Sequence, residues 1–181
     1  RALAQHRLKA AGLDISETFI RLAAESRPEG AAFIRGDVRR LPIRPSSVDA
    51  VICLCQGGFG LLGGEGDEVA PLAEMAGALR PGGRIALSAF SAYFAVRFKE
   101  EGDTFDADRG VNHERSDMVG SDGTAATYDL WTTCFTPREL RLMCDAAGLT
   151  VRHLWSVTPG RYRCDPPGLD QPELLLIADK A

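Results

Sequence analysis

The sequence predicts an α/β fold with a mostly parallel sheet, and three observations support this. Short apolar segments alternate along the chain with segments whose apolar residues recur at helical spacing. Residues 47–55 are apolar almost throughout, which is typical of a strand buried on both faces of a parallel sheet. The last two predicted strands, in contrast, are joined by a Pro/Gly-rich segment without a helical pattern. Strand–helix alternation implies right-handed parallel crossovers, and the final pair indicates an antiparallel hairpin at one edge.

The N-terminal elements can be assigned from local signals. Residues 1–11 place apolar side chains among basic ones, as the end of a helix would. Residues 11–15 form a short apolar segment that we interpret as a strand, and Ser16 is suited to cap the helix predicted at residues 17–26. An Arg-Pro-Glu-Gly sequence ends that helix, and residues 31–35 are predicted as the next strand.

The middle of the chain holds two further strands and one helix. The strand at residues 47–55 is followed by a glycine-rich loop at residues 56–66. Residues 68–79 place apolar side chains on one face of a helix that ends at Arg-Pro-Gly-Gly. Residues 84–90 are again an apolar strand.

The C-terminal part opens with an irregular segment at residues 91–127. It is rich in charges and glycines and has weak periodicity, which is typical of a lid, an insertion or an antiparallel excursion. A strand is predicted at residues 128–135, and a Thr-Pro-x-Glu sequence opens a helix at residues 136–147. The hairpin completes the fold, with predicted strands at residues 149–157 and 173–179 around a loop at residues 159–172. No internal repeat or linker is visible, so residues 1–181 are predicted to form one domain.

Composition limits the function. The chain carries a formal net charge of -4 and no basic run, so it lacks the positive stripe that a nucleic-acid partner requires. No stretch of about 18 apolar residues is present, so we expect no membrane span. The five cysteines are widely spread, which does not indicate a disulfide framework, and no second ligand pair accompanies Cys53 and Cys55 to form a zinc site. A cytoplasmic protein without a metal is the expectation.

Candidate binding residues follow from the predicted strand ends, because ligands bind outside the carboxyl ends of strands in an open α/β sheet. Asp14 ends one strand, and a carboxylate there can accept hydrogen bonds from both hydroxyls of a ribose. A helix-capping role is the alternative, but Ser16 already serves it. Asp37 follows another strand, where it could accept from an adenine amino group or be a solvated turn aspartate.

The glycine-rich loop contains the pattern G-x-G-x-x-G at residues 58–63, which alone is a weak signal. A dinucleotide site would also need an acidic residue at the end of the next strand, where this chain has Ser91 and Ala92. A nucleotide-cofactor oxidoreductase is therefore disfavoured, and we interpret the loop as a flexible rim of a pocket.

Several short motifs along the chain together resemble those of a known protein family. The series comprises Gly-Leu-Asp-Ile-Ser at 12–16, Gly-Asp-Val-Arg-Arg-Leu-Pro at 36–42, Ser-Val-Asp-Ala-Val at 47–51 and Leu-Arg-Pro-Gly-Gly-Arg at 79–84. It resembles the class I S-adenosylmethionine-dependent methyltransferases, as do Phe-Thr-Pro-Arg-Glu-Leu at 135–140 and Ala-Gly-Leu at 147–149. The resemblance implies a doubly wound, mostly parallel, seven-stranded Rossmann-like sheet with an antiparallel last strand inserted beside its neighbour. It also implies S-adenosylmethionine as cofactor and S-adenosylhomocysteine as product.

The resemblance also assigns cofactor-binding residues. Asp14 and its neighbour Ile15 would bind the ribose, and Asp37 with Val38 would meet the adenine. Cys55 and Gln56 would flank the methionine part. The family's first strand and its D-x-G-x-G-x-G loop have no counterpart before Asp14, so we expect that this first strand is absent from the sequence.

The acceptor side is less defined, because positioning supplies much of the catalysis and a base is needed only when the acceptor holds a proton. His113 is the candidate base, with a surface histidine in a mobile loop as the alternative. Phe59, Tyr93, Trp131 and Arg161 are candidates for acceptor binding, although aromatic residues on strands are more often core.

Methyl transfer to an oxygen, nitrogen or carbon of a small molecule is the expected function, and a non-catalytic scaffold of the same fold is the alternative. An unpaired strand edge or the long segment at 91–127 would also support a homodimer.

Overall fold

The computed structural model describes residues 3, 6, 8–25, 27–54, 58–62, 68–120 and 123–181. The chain forms two compact units, residues 1–44 and residues 45–181. Within the described part, no helix combines the length and the apolar composition needed to cross a membrane.

The first unit contains two parallel strands and one helix. Its elements are β1 (Ala10–Asp14), α1 (Glu17–Glu25) and β2 (Ala31–Arg35). The two strands pair in parallel from Ala10 opposite Ala31 to Asp14 opposite Arg35. Ser16 caps α1 as predicted, because its Oγ accepts the backbone N–H of Phe19 at 3.3 Å. The boundaries of all three elements lie within one residue of the predicted ones.

The second unit holds the remaining elements. They are β3 (Val48–Cys53), α2 (Val69–Ala78), β4 (Leu79–Ser91), α3 (Ala92–Arg97), β5 (Thr104–Asp106), β6 (Val111–Val119), β7 (Ala125–Phe135), α4 (Pro137–Ala146), β8 (Leu149–Thr158), β9 (Arg161–Asp165) and β10 (Glu173–Lys180).

Strand β4 lies at the centre of the second unit's sheet. The strand order is β5-β6-β7-β4-β10-β8-β9, and β3 also pairs with β4. Along one edge of β4, β3 pairs in parallel up to Leu87 and β7 pairs in parallel at Phe90 and Ser91. Along the other edge, β10 is antiparallel to β4 and also to β8. The predicted α/β fold, with an antiparallel last strand inserted beside its neighbour, is confirmed.

The core of this unit lies between the sheet and two helices. Alternate residues of the central strands are buried on one face, as strand geometry requires, and they include Ile85, Leu87, Leu154, Leu174 and Leu176. Helix α2 contacts β4 and α4, and α4 contacts β8. Burial of these leucine and isoleucine side chains is the main stabilising contribution, at about 1.5–3 kcal/mol for each one removed from water.

Helix α4 begins with the predicted capping box. The Thr136 side chain accepts the backbone N–H of Glu139 at 3.1 Å, and the Glu139 carboxylate accepts the backbone N–H of Thr136 at 3.2 Å. Pro137 occupies the first turn, where its missing N–H costs no hydrogen bond. The start of α4 is thus determined by four consecutive residues.

The irregular segment at residues 91–127 contains regular structure. It starts with α3 and continues as an antiparallel ribbon in which β5 pairs with β6 and β6 pairs with β7. Strand β7 begins at Ala125, three residues before the predicted start. Of the three interpretations made for this segment, the ribbon corresponds to the antiparallel excursion.

The predicted loop at residues 159–172 is wrong in one part, because β9 occupies Arg161–Asp165 and pairs with β8. The prolines and glycines that suggested a loop lie on both sides of this strand and not inside it. Gly160 has φ of 78°, a conformation that favours glycine, and it turns the chain from β8 into β9.

An ion-pair network joins three strands at the end of the sheet. The Asp179 carboxylate accepts from Arg84 Nε at 2.6 Å and from Arg152 Nε at 2.8 Å. Hydrogen bonds from these two guanidinium groups hold the pKa of Asp179 well below its usual range. The network therefore connects β10 to both of its neighbours through charge-assisted hydrogen bonds.

We expect Asp179→Asn to lower the free energy of unfolding at neutral pH and to have a smaller effect in acid. A carboxylate whose pKa is depressed by folding stabilises the protein above the unfolded-state pKa of about 3.9, and this stabilisation is lost as the pH falls further. The difference in unfolding free energy between wild type and variant should shrink between pH 5 and pH 2, as measured by urea unfolding. Asp165→Asn is the control, and an equal dependence on pH in both variants would contradict the assignment.

Candidate active site

Asp14 stands where β1 ends and the chain turns toward α1. Its Oδ1 accepts the backbone N–H of Ser16 at 2.8 Å, and the side chain is partly buried. Ser16 provides the capping oxygen of α1, so Asp14 does not serve that role. Within the described part of the chain, Oδ2 of Asp14 has no hydrogen-bond partner. The residue thus presents a carboxylate oxygen at the carboxyl end of a parallel strand.

Asp37 stands in the turn after β2 and is held by Arg39. Both carboxylate oxygens lie 3.0 Å from Arg39 Nε, Oδ2 lies 2.6 Å from Nη2, and Oδ1 accepts the backbone N–H of Arg39 at 2.9 Å. The side-chain hydrogen bonds from Arg39, followed by the backbone one, lower the pKa of Asp37 to about 2. Arg39 supplies three hydrogens, because its Nε–H is shared between both oxygens, and a carboxylate offers about four lone-pair positions, so Asp37 can still accept one hydrogen bond from a ligand.

The structure brings the two acids to one edge of the first unit. The backbone N–H of Gly36 donates to the carbonyl oxygen of Asp14 at 3.0 Å, which joins the two strand ends directly. Ile15 is exposed beside Asp14, and Val38 lies partly buried beside Asp37. We call Asp14, Ile15, Asp37 and Val38 the acidic edge.

Two residues predicted to flank the methionine part of the cofactor, Cys55 and Gln56, lie outside the described residues. Cys53, just before them, is partly buried, and burial raises the pKa of its thiol to about 11. A protonated thiol is neither a nucleophile nor a metal ligand. Among the described residues, no group of three His, Cys, Asp or Glu side chains is arranged to hold a metal ion.

Phe59 does not line an open site in this structure. Its side chain is 0% exposed and stacks on Phe135 with ring centroids 4.9 Å apart. The neighbouring Gly60 accepts the backbone N–H of Thr133 at 2.8 Å, and a Cβ at Gly60 would lie 2.9 Å from the Thr133 carbonyl oxygen. The described part of the glycine-rich loop is thus anchored to β7, because only glycine permits this close approach.

His113 lies on strand β6 and not in a loop. Its Nε2 is 2.8 Å from Oδ1 of Asp129 on β7, and its ring stacks on Trp131 with centroids 4.7 Å apart and planes 13° apart. Trp131 is the residue directly opposite His113, and Asp129 lies two residues earlier on the same strand. The imidazole is thus held nearly parallel to the indole ring and hydrogen-bonded to a carboxylate. We call His113, Asp129 and Trp131 the imidazole cluster.

The ribbon separates two of the predicted acceptor residues, Tyr93 and Trp131. Since side chains alternate along strands, the pairing register places the imidazole cluster and Thr133 on one face, and Phe105 and Cys134 on the other. Tyr93 from α3 helps to line a pocket of about 570 Å³ on the Phe105 face, together with Val96, Phe105, Cys134 and Leu169. Burial raises the pKa of the Cys134 thiol to about 12, so this thiol is unreactive there.

Arg161 lies far from the imidazole cluster. It opens β9 opposite Thr158, at the end of the strand order remote from β5 and β6. Five strand-to-strand steps separate β6, which carries His113, from β9, which at about 4.8 Å each is roughly 24 Å. The structure therefore does not bring Arg161 and His113 to one site.

Two partners in this region were not predicted from the sequence. Asp129 contacts His113, and the buried Glu68 accepts from the Thr133 hydroxyl at 2.5 Å. A charged residue in the otherwise uncharged strand β7 is a signal for Asp129, but its partner depends on the ribbon register. No local signal links Glu68 and Thr133, which are 65 residues apart.

Comparison with known proteins agrees with this architecture. Residues 1–87 match the model of the family described as the methyltransferase domain. Curated protein sequences gave no significant match.

Solved structures with the same fold include three methyltransferases. The CcbJ methyltransferase of Streptomyces caelestis has 17% identity and a TM-score of 0.78, covering 99% of this chain and 78% of that one. CalS10, an amino pentose methyltransferase of Micromonospora echinaspora solved with S-adenosylmethionine, has 22% identity and a TM-score of 0.61, with coverages of 94% and 73%. The third is the 1,6-didemethyltoxoflavin-N1-methyltransferase of Burkholderia thailandensis, with 19% identity and a TM-score of 0.55, and coverages of 96% and 61%.

At these identities the likeness to the solved structures is one of fold, and the family model adds the sequence evidence. The resemblance inferred from the sequence motifs is confirmed by both. Residues 1–87 match the model of the methyltransferase domain family, and the chain has the Rossmann-like α/β fold of these solved methyltransferases.

Proposed function

We propose that this protein transfers a methyl group from S-adenosylmethionine to a small-molecule acceptor. The acidic edge would hold the adenosine part of the cofactor, and the imidazole cluster would serve the acceptor. The observation that supports this best is the hydrogen bond from Gly36 to Asp14, which fixes two carboxylates at neighbouring strand ends. Asp14 and Asp37 both lie inside the segment that matches the methyltransferase domain.

The residues of the acidic edge fit the chemistry of an adenosine. Ribose hydroxyls are hydrogen-bond donors, and Oδ2 of Asp14 is an acceptor without a partner in the described part of the chain. The adenine amino group is also a donor, and Asp37 is an ionised acceptor held in place by Arg39. Ile15 and Val38 add apolar side chains beside these two acceptors.

S-adenosylmethionine supplies a sulfonium methyl group, which a nucleophile displaces in line. The protein's contribution is to orient the two reactants and to remove a proton from acceptors that carry one. His113 is the residue that we propose for that proton. Its ring is held by two contacts, the 2.8 Å hydrogen bond to Asp129 and the stack on Trp131.

The face of the ribbon that carries His113 also supports this role. The loop after β3 meets the ribbon on that face, through Gly60 with Thr133 and through Phe59 with Phe135. This loop follows Cys55 and Gln56 in the sequence, and its contact with the ribbon supports the choice of His113 as the residue that serves the acceptor.

A small molecule is the acceptor class that we propose. The net charge of -4 and the absence of a basic run disfavour nucleic acid. Among the proteins of this fold, CalS10 is an amino pentose methyltransferase, and the Burkholderia enzyme was solved with 1,6-didemethyltoxoflavin. Amino pentoses and nitrogen heterocycles are therefore the first acceptors to test, with S-adenosylhomocysteine formation as the readout.

We expect Asp14→Asn to weaken binding of S-adenosylhomocysteine by about 10- to 100-fold, measured by isothermal titration calorimetry. The physical reason is the loss of charge-assisted hydrogen bonds to the ribose, each worth about 1.5–3 kcal/mol. Asparagine keeps an oxygen for the Ser16 N–H, so the turn before α1 should survive the substitution.

Glu29→Gln is the matched control, because it neutralises an exposed carboxylate at the opposite, amino end of β2. It should bind S-adenosylhomocysteine as the wild type does. A folded wild-type protein that does not bind S-adenosylhomocysteine would overturn the methyltransferase proposal and favour the scaffold alternative. Equal affinity in wild type and Asp14→Asn would remove Asp14 from the cofactor site.

A further inference from the structure

Asp129 has no assigned role in the proposed reaction, although it contacts the proposed base. It lies diagonally across the ribbon from His113, two residues before the directly opposite Trp131. Its Oδ1 is 2.8 Å from Nε2 of His113 and 3.5 Å from Nε of Arg115. Arg115 is directly opposite Asp129 in the register, and the same carboxylate oxygen contacts both its guanidinium and the imidazole of His113.

We propose that Asp129 is a positioning residue that directs the proton-accepting nitrogen of His113 to Nδ1. This inference rests on the proposed function, in which His113 is the base. A carboxylate has only acceptor atoms, so the 2.8 Å contact requires the hydrogen to be on Nε2. A neutral imidazole carries one hydrogen, and its lone pair is then on Nδ1.

The surroundings of Nδ1 agree with this role. Within the described part of the chain, Nδ1 of His113 has no hydrogen-bond partner, and the side chain is 29% exposed. The stack on Trp131 restricts the plane of the ring, and the hydrogen bond to Asp129 restricts its rotation within that plane. The two contacts together engage Nε2 in a hydrogen bond and leave Nδ1 without a partner among the described residues.

The step is balanced in atoms and charge. The lone pair of the acceptor atom forms a bond to the methyl carbon, and the electrons of the sulfur–methyl bond return to sulfur, which becomes a neutral thioether. The proton of the acceptor moves to Nδ1, so the positive charge of the sulfonium ends on the imidazolium ring. Asp129 stabilises that charge through the Nε2–H hydrogen bond and takes no proton itself.

The test compares Asp129→Ala with Asp117→Ala. Asp117 lies on the same ribbon and accepts from the Thr127 hydroxyl at 2.7 Å, a cross-strand bond of the same kind that does not touch His113. With the best acceptor from the panel of amino pentoses and nitrogen heterocycles, we expect Asp129→Ala to lower kcat by about 10- to 100-fold. KM should stay within about threefold, and Asp117→Ala should match the wild type.

A double variant and a spectroscopic readout make the test specific. If Asp129 acts through His113, the variant His113→Ala/Asp129→Ala should have the same kcat as His113→Ala alone, because the two effects are not additive. In ¹⁵N-labelled protein, the Nε2–H signal of His113 should be detectable in the wild type and in Asp117→Ala, and absent in Asp129→Ala.

Three outcomes would overturn the inference. They are a neutral His113 that carries its proton on Nδ1, an additive double variant, and an unchanged kcat in Asp129→Ala. S-adenosylhomocysteine binding, measured on the same samples, separates this failure from that of the proposed function. If the wild type binds S-adenosylhomocysteine and transfers the methyl group, any of these three results rejects only the role of Asp129. If the wild type does not bind S-adenosylhomocysteine, the proposed methyltransferase function itself is rejected.

Discussion

Replacing His113 by alanine is expected to lower kcat for methyl transfer by about 100- to 10,000-fold when the acceptor carries a proton on the attacking atom. This is the usual contribution of a positioned general base. The rate should be followed as S-adenosylhomocysteine formed with an amino pentose or a nitrogen heterocycle. Cofactor affinity should not change, because the acidic edge and not the imidazole cluster is proposed to bind the adenosine.

His153→Ala is the matched control for this prediction. His153 also stacks on a tryptophan, Trp155, with centroids 4.6 Å apart and planes 9° apart. It lies on β8 and has no carboxylate partner among the described residues, so its removal should cost packing but not catalysis. Equal losses of kcat in both variants would show that the His113 effect arises from lost stacking, and an unchanged kcat in His113→Ala would reject the base.

Much of the fold could be predicted because the signals are local. The capping box of α4 lies within four residues, and the apolar, β-branched composition of residues 48–53 identifies β3 as a strand. The predicted burial of this strand on both faces is wrong, because its residues are half-buried or exposed. The antiparallel position of β10 follows from the absence of a helix before it, which is also a local feature. The ribbon of β6 and β7 was less visible, since charged residues such as Glu114, Arg115 and Asp117 interrupt its alternation.

The residues of the candidate site also differ in whether local sequence signals predict them. The positions of Asp14 and Asp37 follow from one rule about strand ends, so the sequence alone identifies them. The partner of His113 depends on the register between β6 and β7, and a shift of one residue would place Asp129 on the opposite face. Phe59 was assigned to acceptor binding because it lies in the glycine-rich loop after a strand, but its burial depends on Phe135, 76 residues away.

Replacing Leu140 by alanine is expected to lower the free energy of unfolding of the second unit by about 2–5 kcal/mol. Leu140 is 0% exposed in α4, the helix that contacts β8 and α2. The substitution removes buried apolar surface and leaves a cavity that the surrounding side chains fill only partly. Urea unfolding followed by the fluorescence of Trp131 and Trp155 measures this change, because both tryptophans lie in the second unit.

Leu142→Ala in the same helix is the control for Leu140→Ala. It removes the same atoms and changes helix propensity equally, but Leu142 is 59% exposed, so the expected loss is below about 1 kcal/mol. The urea midpoint should fall strongly only for Leu140→Ala, with the same slope for both variants and the wild type. If the two variants were equally destabilised, the buried face of α4 would not be the one that carries Leu140. The packing of α4 on β8 would then need revision, and with it the placement of the ribbon that leads into this helix.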